Sequence, residues 1–395
     1  MKGALRRIAA AARAVDHRIG RVDGSRRVLI EARTPMNLAV LRPVFTPLLG
    51  DPRIQLCFTG VRRPDLDLAF EEAGVSAFTI SRKQARWTRF DLYINADPWE
   101  AVTLRRAAHR LNFFHGVAGK YDLDCPAGLP LGLERYDVVA FPNEGRMQNY
   151  VAAGLVRASQ AALVGYPKAD VLLTPGSHPA DAAGALGLDS SRPTVIYAPT
   201  FSPASSLNLA GEQIVEALVA SGCNVIVKLH DRSLDPDPRY TGGVDWRARL
   251  ARFAGSGRFL LAASGDSTAY VQASQVMITD HSSIGFEFCA ADRPLIIYHA
   301  PTLAETARIN PEKLALLRST GDVVHTPDEL SRALTAALEA PQRHSAERRR
   351  AASQVFYRPG GATARALRIV YELIDLEPAP AALTARPAGA WSGSE

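Results

Sequence analysis

Val276-Met277-Ile278-Thr279-Asp280-His281-Ser282-Ser283-Ile284-Gly285-Phe286-Glu287-Phe288 is the stretch from which the rest of the chain can be read. A short apolar run ends in Asp-His-Ser-Ser. An apolar segment opens after it, and Arg293-Pro294 with a second apolar run, Leu295 to Tyr298, closes the unit. This spells strand, turn, helix, strand. The turn falls at the carboxyl end of a strand and the amino end of a helix. Backbone N–H groups are unpaired there, and the helix dipole favours an anion. Ser282 and Ser283 add hydroxyl donors without bulk, which makes a phosphate cradle. The plainer alternative is that one of the serines is only an N-cap.

The alternation continues outward in both directions. Val28–Ile30, Ile54–Phe58, Ala77–Ile80, Leu92–Ile94, Leu111–Phe114, Val138–Phe141 and Ala161–Val164 read as strands. Helices are expected between them around Pro43–Leu49, Leu66–Ala73, Glu100–Arg110 and Gly145–Ala153. A second series follows: Thr194–Ala198, Asn224–Leu229, Phe259–Ala262, Val276–Thr279, Leu295–Tyr298 and Val323–Val324, with helices over Leu209–Ala220 and Pro327–Glu339. Strands alternating with helices imply parallel sheets in an α/β protein. Between the two series, residues 174–192 carry turn chemistry at both ends, Thr174-Pro175-Gly176-Ser177 and Asp189-Ser190-Ser191-Arg192-Pro193, and are assigned to a linker. The expected domains are thus 1–173 and 193–362, followed by a helix over 363–376 and an Ala/Pro/Gly-rich, disordered tail over 377–395.

A length of 395 residues exceeds the usual size of one core, in keeping with two domains. No apolar run approaches the length of a membrane span, and the N-terminus lacks the apolar core of a secretory signal. Cys57, Cys125, Cys223 and Cys289 are scattered with no Cys-x-x-Cys pair, which speaks against a zinc ribbon and for reduced thiols in a cytoplasm. A net charge of +6 suits a nucleotide, an anionic lipid or a phosphate polymer. Nucleic acid is not an expected partner. Leu5, Ile8, Ala12, Val15 and Ile19 recur at helical spacing among Arg6, Arg7, Arg13 and Arg18. Residues 1–20 therefore read either as a foot on an anionic membrane or as a helix packed on its own domain.

Further polar residues stand at element ends. His115 follows a strand end, and Gly116 lets the chain turn closely around a ligand. A histidine there can take a proton from an attacking hydroxyl near neutral pH, or can be a structural loop residue. Lys228 and His230 lie two apart at a strand end, hence on one face, as a diphosphate site or a solvated edge. Thr200 ends the first strand of the second series and can donate to a phosphate or a base. Asp280 suits an Asx-type turn, where it accepts backbone N–H bonds. Its charge beside a phosphate argues for structural support rather than donor contact. There is no Asp-x-Asp pair to hold a divalent metal beside a nucleotide.

Thr279-Asp280-x-Ser282-Ser283 with Glu287 four residues on resembles the CDP-glycerol glycerophosphotransferase family. Phe114-His115-Gly116, Gly165-Tyr166-Pro167-Lys168-Ala169-Asp170-Val171-Leu172, Tyr197-Ala198-Pro199-Thr200-Phe201 and Lys228-Leu229-His230 fit the same pattern in the same order. The resemblance spans roughly residues 105–375. It implies a GT-B fold of two Rossmann-like domains with sheets facing across a cleft, the 363–376 helix crossing back to the first domain. It implies a transferase that moves a glycerophosphate-type group from a CDP-linked donor to a hydroxyl of a cell-envelope polymer or lipid-linked acceptor. By resemblance His115 is the acceptor-side base. Gly116, Lys168, Thr200, Lys228, His230, Ser282 and Ser283 bind the donor, and Glu287 holds its ribose. No cofactor or metal is implied, since the helix terminus, His230 and Lys228 can carry the charge. The chain departs from the family where Val117-Ala118-Gly119-Lys120 replaces Thr-Pro-Leu-Lys, where Phe201-Ser202 replaces Trp-Arg, where Asp231 replaces Pro, and where Lys168 replaces Arg. Losing the arginine after Thr200 removes a bidentate phosphate contact. The alternatives are a GT-B glycosyltransferase using a nucleotide sugar, and a catalytically idle nucleotide-binding relative.

Overall fold

The computed structural model describes residues 24–99, 101–114, 116–124, 131–173, 179–255, 257–262 and 265–379. The expected basic helix over 1–20, His115, Cys125, the 174–178 turn and most of the C-terminal tail lie outside these residues. The described chain forms two compact units. The first holds residues up to His115, Ala127–Val171 and the chain from Gly360 onward; the second holds Gly116–Pro126 and Leu172–Pro359.

In the first unit six parallel strands are ordered β2-β1-β3-β4-β5-β6. They are β1 (Arg26–Ala32), β2 (Ile54–Gly60), β3 (Phe90–Asn95), β4 (Ala107–Phe113), β5 (Val138–Phe141) and β6 (Ala161–Leu163). Every residue of β3 is buried, as a parallel sheet covered on both faces requires. The C-terminal helix Ala362–Leu373 belongs to this unit. Asp170, from the Gly-Tyr-Pro-Lys-Ala-Asp segment, accepts the backbone N–H of Gly360 at 2.8 Å and of Thr363 at 2.7 Å. Arg365 donates to the Val164 carbonyl at 2.7 Å, and the Tyr371 phenol donates to Asp51 at 2.9 Å. Part of that motif thus serves as a clasp for the helix start, where unpaired N–H groups need acceptors.

The second unit repeats the plan with the order β12-β11-β10-β7-β8-β9. Its strands are β7 (Thr194–Tyr197), β8 (Asn224–Val227), β9 (Phe259–Leu261), β10 (Val276–Thr279), β11 (Leu295–Tyr298) and β12 (Gly321–Val324). β7, β8, β10 and β11 are buried throughout. Leu207, Ile214, Leu218, Trp246, Leu330 and Leu334 pack with these strands in one core.

Three expectations need correction. The helix expected over Glu100–Arg110 is not there: residues 101–106 form no helix, and Ala107 already begins β4. β4 is sandwiched between β3 and β5, and pairing on both edges overrides the helix-favouring Ala and Arg composition. The strand expected over Ala77–Ile80 is a 3-10 turn, Ser76–Phe78, with a single bridge from Thr79 to Phe58. Residues 179–192 are not a free linker. The helix Pro179–Ala185 contacts β7 and the helix Thr268–Ala273 inside the second unit.

Candidate functional site

The order of the second sheet fixes where its site lies. The chain runs from β7 outward to β8 and β9, then returns to place β10 on the other side of β7. The β7–β10 junction is therefore the topological switch point, and the crevice at its strand ends is where open α/β sheets bind ligands. Two loops meet there: Ala198–Ser206 after β7, and Asp280–Ser283 after β10.

Asp280 holds the two loops together. It is 3% exposed and accepts from the Thr200 N–H at 2.7 Å and its neighbour's, His281, at 2.6 Å. Its other oxygen accepts from the Ser206 N–H at 2.9 Å and the Ser206 hydroxyl at 2.8 Å. A buried carboxylate is tolerated when donors surround it in this way. The Thr200 hydroxyl donates to the His281 carbonyl, so its proton closes the same junction.

The helix Ser283–Ala290 starts at this turn with Ser282 as N-cap. The Ser282 hydroxyl bonds Thr279 Oγ1 at 3.1 Å and reaches the Ala198 carbonyl at 3.4 Å, and makes no side-chain cap bond to the helix. Ser283 is partly exposed; its Oγ accepts from the Val117 N–H at 3.3 Å, which leaves its own proton to donate. The first N–H groups of the helix have no intrahelical partner. Glu287, one turn on, is 2% exposed.

The segment after Gly116 is fixed to this unit residue by residue. A Cβ on Gly116 would lie 3.7 Å from Ser283 Oγ. His281 Nε2 bonds the Ala118 carbonyl at 2.8 Å, Asn310 N–H donates to the Gly119 carbonyl at 2.9 Å, and Tyr121 N–H donates to the Ala307 carbonyl at 3.0 Å. Gly119 has φ +64, and a side chain there would collide with Asp124 and Lys313. His281 is fully buried. Burial holds its pKa down to about 4, the bond to the Ala118 carbonyl opposing, so the ring is neutral and Nδ1 has no partner among the described residues. Burial also lowers the Lys120 ammonium to about 8, against the pull of nearby Asp280.

Beside the turn, the Phe201 ring gathers polar groups. The His230 ring lies 4.4 Å away and the Tyr121 ring 5.8 Å, stacked. The Lys120 amine is 5.2 Å from the ring centre and the Arg232 guanidinium 5.0 Å. His230 is partly exposed, and its Nδ1 accepts the Arg232 backbone N–H at 3.1 Å. The neutral ring then carries its proton on Nε2, as a donor. Lys228 differs from the expectation of a strand-end pair. β8 ends at Val227, Lys228 is 7% exposed, and its ammonium donates to the Leu229 carbonyl at 2.8 Å.

The structure thus brings together Gly116, Thr200, Asp280, Ser282 and Ser283, with His230 reached through Phe201. Lys168, 1% exposed on the helix Pro167–Leu173, lies in the first unit. His281, Lys120 and Arg232 were not singled out as site residues by sequence. His281 is embedded in the decisive turn and Lys120 matches a family lysine. Arg232 sits in a 3-10 turn, Asp231–Leu234, too short to show a period, and carries no local signal.

Comparison with curated protein sequences gave no match. Among solved structures, the wall teichoic acid polymerase TagF is similar with a TM-score of 0.64 at 13% identity over 89% of each chain. S. aureus MnaA, solved with UDP, is similar at 0.56 and 13%, over 89% of this chain and 98% of that one. A UDP-N-acetylglucosamine 2-epimerase gives 0.53 and 14%, over 89% and 95%. These likenesses show the fold, which is GT-B with two Rossmann-like units. The family model of CDP-Glycerol:Poly(glycerophosphate) glycerophosphotransferase matches residues 128–372, well over half of the chain, and the protein is a transferase that belongs to this family.

Proposed function

We propose that the protein transfers glycerophosphate from CDP-glycerol to a hydroxyl of a cell-envelope polymer or lipid-linked acceptor. The observation that carries this reading is the switch-point turn of the second unit. Asp280 locks it, and the partly exposed Ser283 and the helix N-terminus are assigned as donors to a diphosphate. The His230 Nε2–H adds a donor, and Glu287 is assigned to the ribose. TagF has been solved with CDPG, which accords with such a donor on this fold. His115, immediately before Gly116 in the chain, takes the acceptor proton. The acceptor oxygen forms a bond to the glycerol-side phosphorus, and the bridging P–O bond breaks. CMP leaves with the electron pair, and the proton passes from His115 to solvent. The basic helix expected over residues 1–20 is assigned to an anionic, cytoplasm-facing membrane surface that carries the acceptor.

The test is product analysis with purified full-length enzyme, CDP-glycerol, and acceptor supplied in anionic vesicles. CMP release supports phosphoryl attack; release of a nucleoside diphosphate only from a nucleotide sugar points to glycosyl transfer. His115→Ala lowers turnover by about 10²–10⁴ with donor affinity kept. Deleting residues 1–20 slows the reaction on vesicles but not on a soluble acceptor. Near-native turnover by His115→Ala places the base elsewhere.

A further inference from the structure

The charge available to a diphosphate at this turn is not where the sequence motifs place it. The motif lysine, Lys228, is buried with its ammonium bonded to the next carbonyl. Ser202 stands where an arginine fork was expected and brings no charge. A guanidinium close by comes instead from the 3-10 turn Asp231–Leu234. Arg232 is exposed, and its guanidinium lies 5.0 Å from the centre of Phe201, the residue before Ser202. It lies 5.1 Å from the centre of the Tyr240 ring as well. Phe201 follows Thr200, which is tied to Asp280 and His281 of the serine turn.

Two features make Arg232 more than a surface cation. It lies against two aromatic rings set edge to face, 6.5 Å apart, which reduces the rotamer freedom lost when a ligand is gripped. Among the described residues no carboxylate pairs with it, whereas Asp237 nearby is taken by Arg239 at 2.6 Å. Its own backbone N–H fixes the His230 tautomer. One short loop therefore supplies both a fork and an oriented imidazole donor.

We propose that Arg232 is a donor-binding residue that grips the diphosphate of a nucleoside-diphosphate donor beside His230, replacing the fork absent at Ser202. The inference rests on the reading of the serine turn as the donor site and adds the residue that supplies its charge. Arg232 recognises phosphate oxygens, so the base is irrelevant to its role. Lys120, on the same Phe201 ring, is the second cation of the site.

Calorimetry on the full chain with CDP-glycerol, CDP, UDP and inorganic pyrophosphate tests it. Arg232→Ala weakens each diphosphate bound by the wild type by about 10- to 100-fold and flattens the salt dependence. Arg232→Lys recovers part of the loss, because it keeps the charge without the fork. Arg239→Ala, which removes a guanidinium from the other contact of Tyr240, leaves affinity unchanged. Thermal unfolding confirms that each variant is folded. Wild-type-like affinity in Arg232→Ala overturns the assignment of Arg232 alone. Binding of UDP but not CDP overturns the cytidine donor and leaves Arg232 tested on UDP. If the wild type binds none of the four ligands, both readings fall.

Discussion

Each sheet has a switch point, and each switch point holds a buried carboxylate, but the two carboxylates are solvated differently. In the first unit the junction lies between β1 and β3. Glu31, 1% exposed, meets the Tyr93 phenol, the Val102 N–H at 2.8 Å and Arg82 at 3.1 Å. Asn95 beside it is occupied by Tyr136 and Asn112, each at 2.8 Å. These are mostly side chains bonded to side chains, and burial raises the Glu31 pKa. In the second unit Asp280 is ringed by backbone N–H groups from two loops. A side-chain network uses up its own polar groups. A carboxylate that organises backbone spends few side chains: Thr200, Ser206 and Ser282 keep their hydroxyls inside the junction, and Ser283 retains a proton to donate. Equivalent topology thus gives one junction closed by side chains and one organised around backbone, which is the one proposed to receive the donor.

Isosteric neutralisation separates the two carboxylates. Asp280→Asn turns an amide NH₂ toward the Ser206 N–H and hydroxyl, leaving buried donors facing donors. It should cost about 3–4 kcal/mol of stability in urea unfolding. Glu31→Gln keeps most of its partners and removes a charge that burial already disfavours; about 1 kcal/mol is expected, mainly from the Arg82 pair. Equal costs would erase the distinction.

His281 offers a pH test of the same junction. In the unfolded chain its imidazole takes a proton near pH 6.5; in the folded protein burial delays this to about 4. Between these values the unfolded state binds more protons. Its contribution to stability is therefore complete above pH 6.5 and is lost as pH falls toward 4, by about 3 kcal/mol in all. Replacing it by Gln removes that slope. Parallel stability curves for wild type and His281→Gln from pH 7 to 4 would mean that the ring is not buried as a neutral group.

The decisive turn and both sheets were legible because parallel strands buried on two faces are short apolar runs, and β7, β10 and β11 are of this kind. β4 was only partly legible. Arg106, Arg110 and the alanines between them suit a helix, and only pairing with β3 and β5 makes them strand. The spacing of Lys228 and His230 assumed that the strand continued; it ends at Val227, and local bonding sends the two side chains to different tasks. Arg232 was illegible for a different reason. Its meaning comes from Phe201 and Tyr240, neither adjacent in sequence, and no local pattern encodes that meeting. The same holds for the 117–121 segment, whose partners lie at 281–283 and 307–310.

The most direct measurement is calorimetry of CDP-glycerol binding to the folded Ser282→Ala, Ser283→Ala double variant. The turn was inferred as a phosphate cradle from its two serines, and the structure leaves the Ser283 proton free to donate. Losing the Ser283 hydroxyl as a donor to a charged phosphate should weaken binding by about 1.5–3 kcal/mol, roughly 10- to 100-fold. The Asp280 bonds that shape the turn remain in this variant, while the buried Ser282 bonds to Thr279 and Ala198 are lost, so thermal unfolding first establishes that it is folded. A double variant that binds CDP-glycerol as tightly as the wild type would contradict the account.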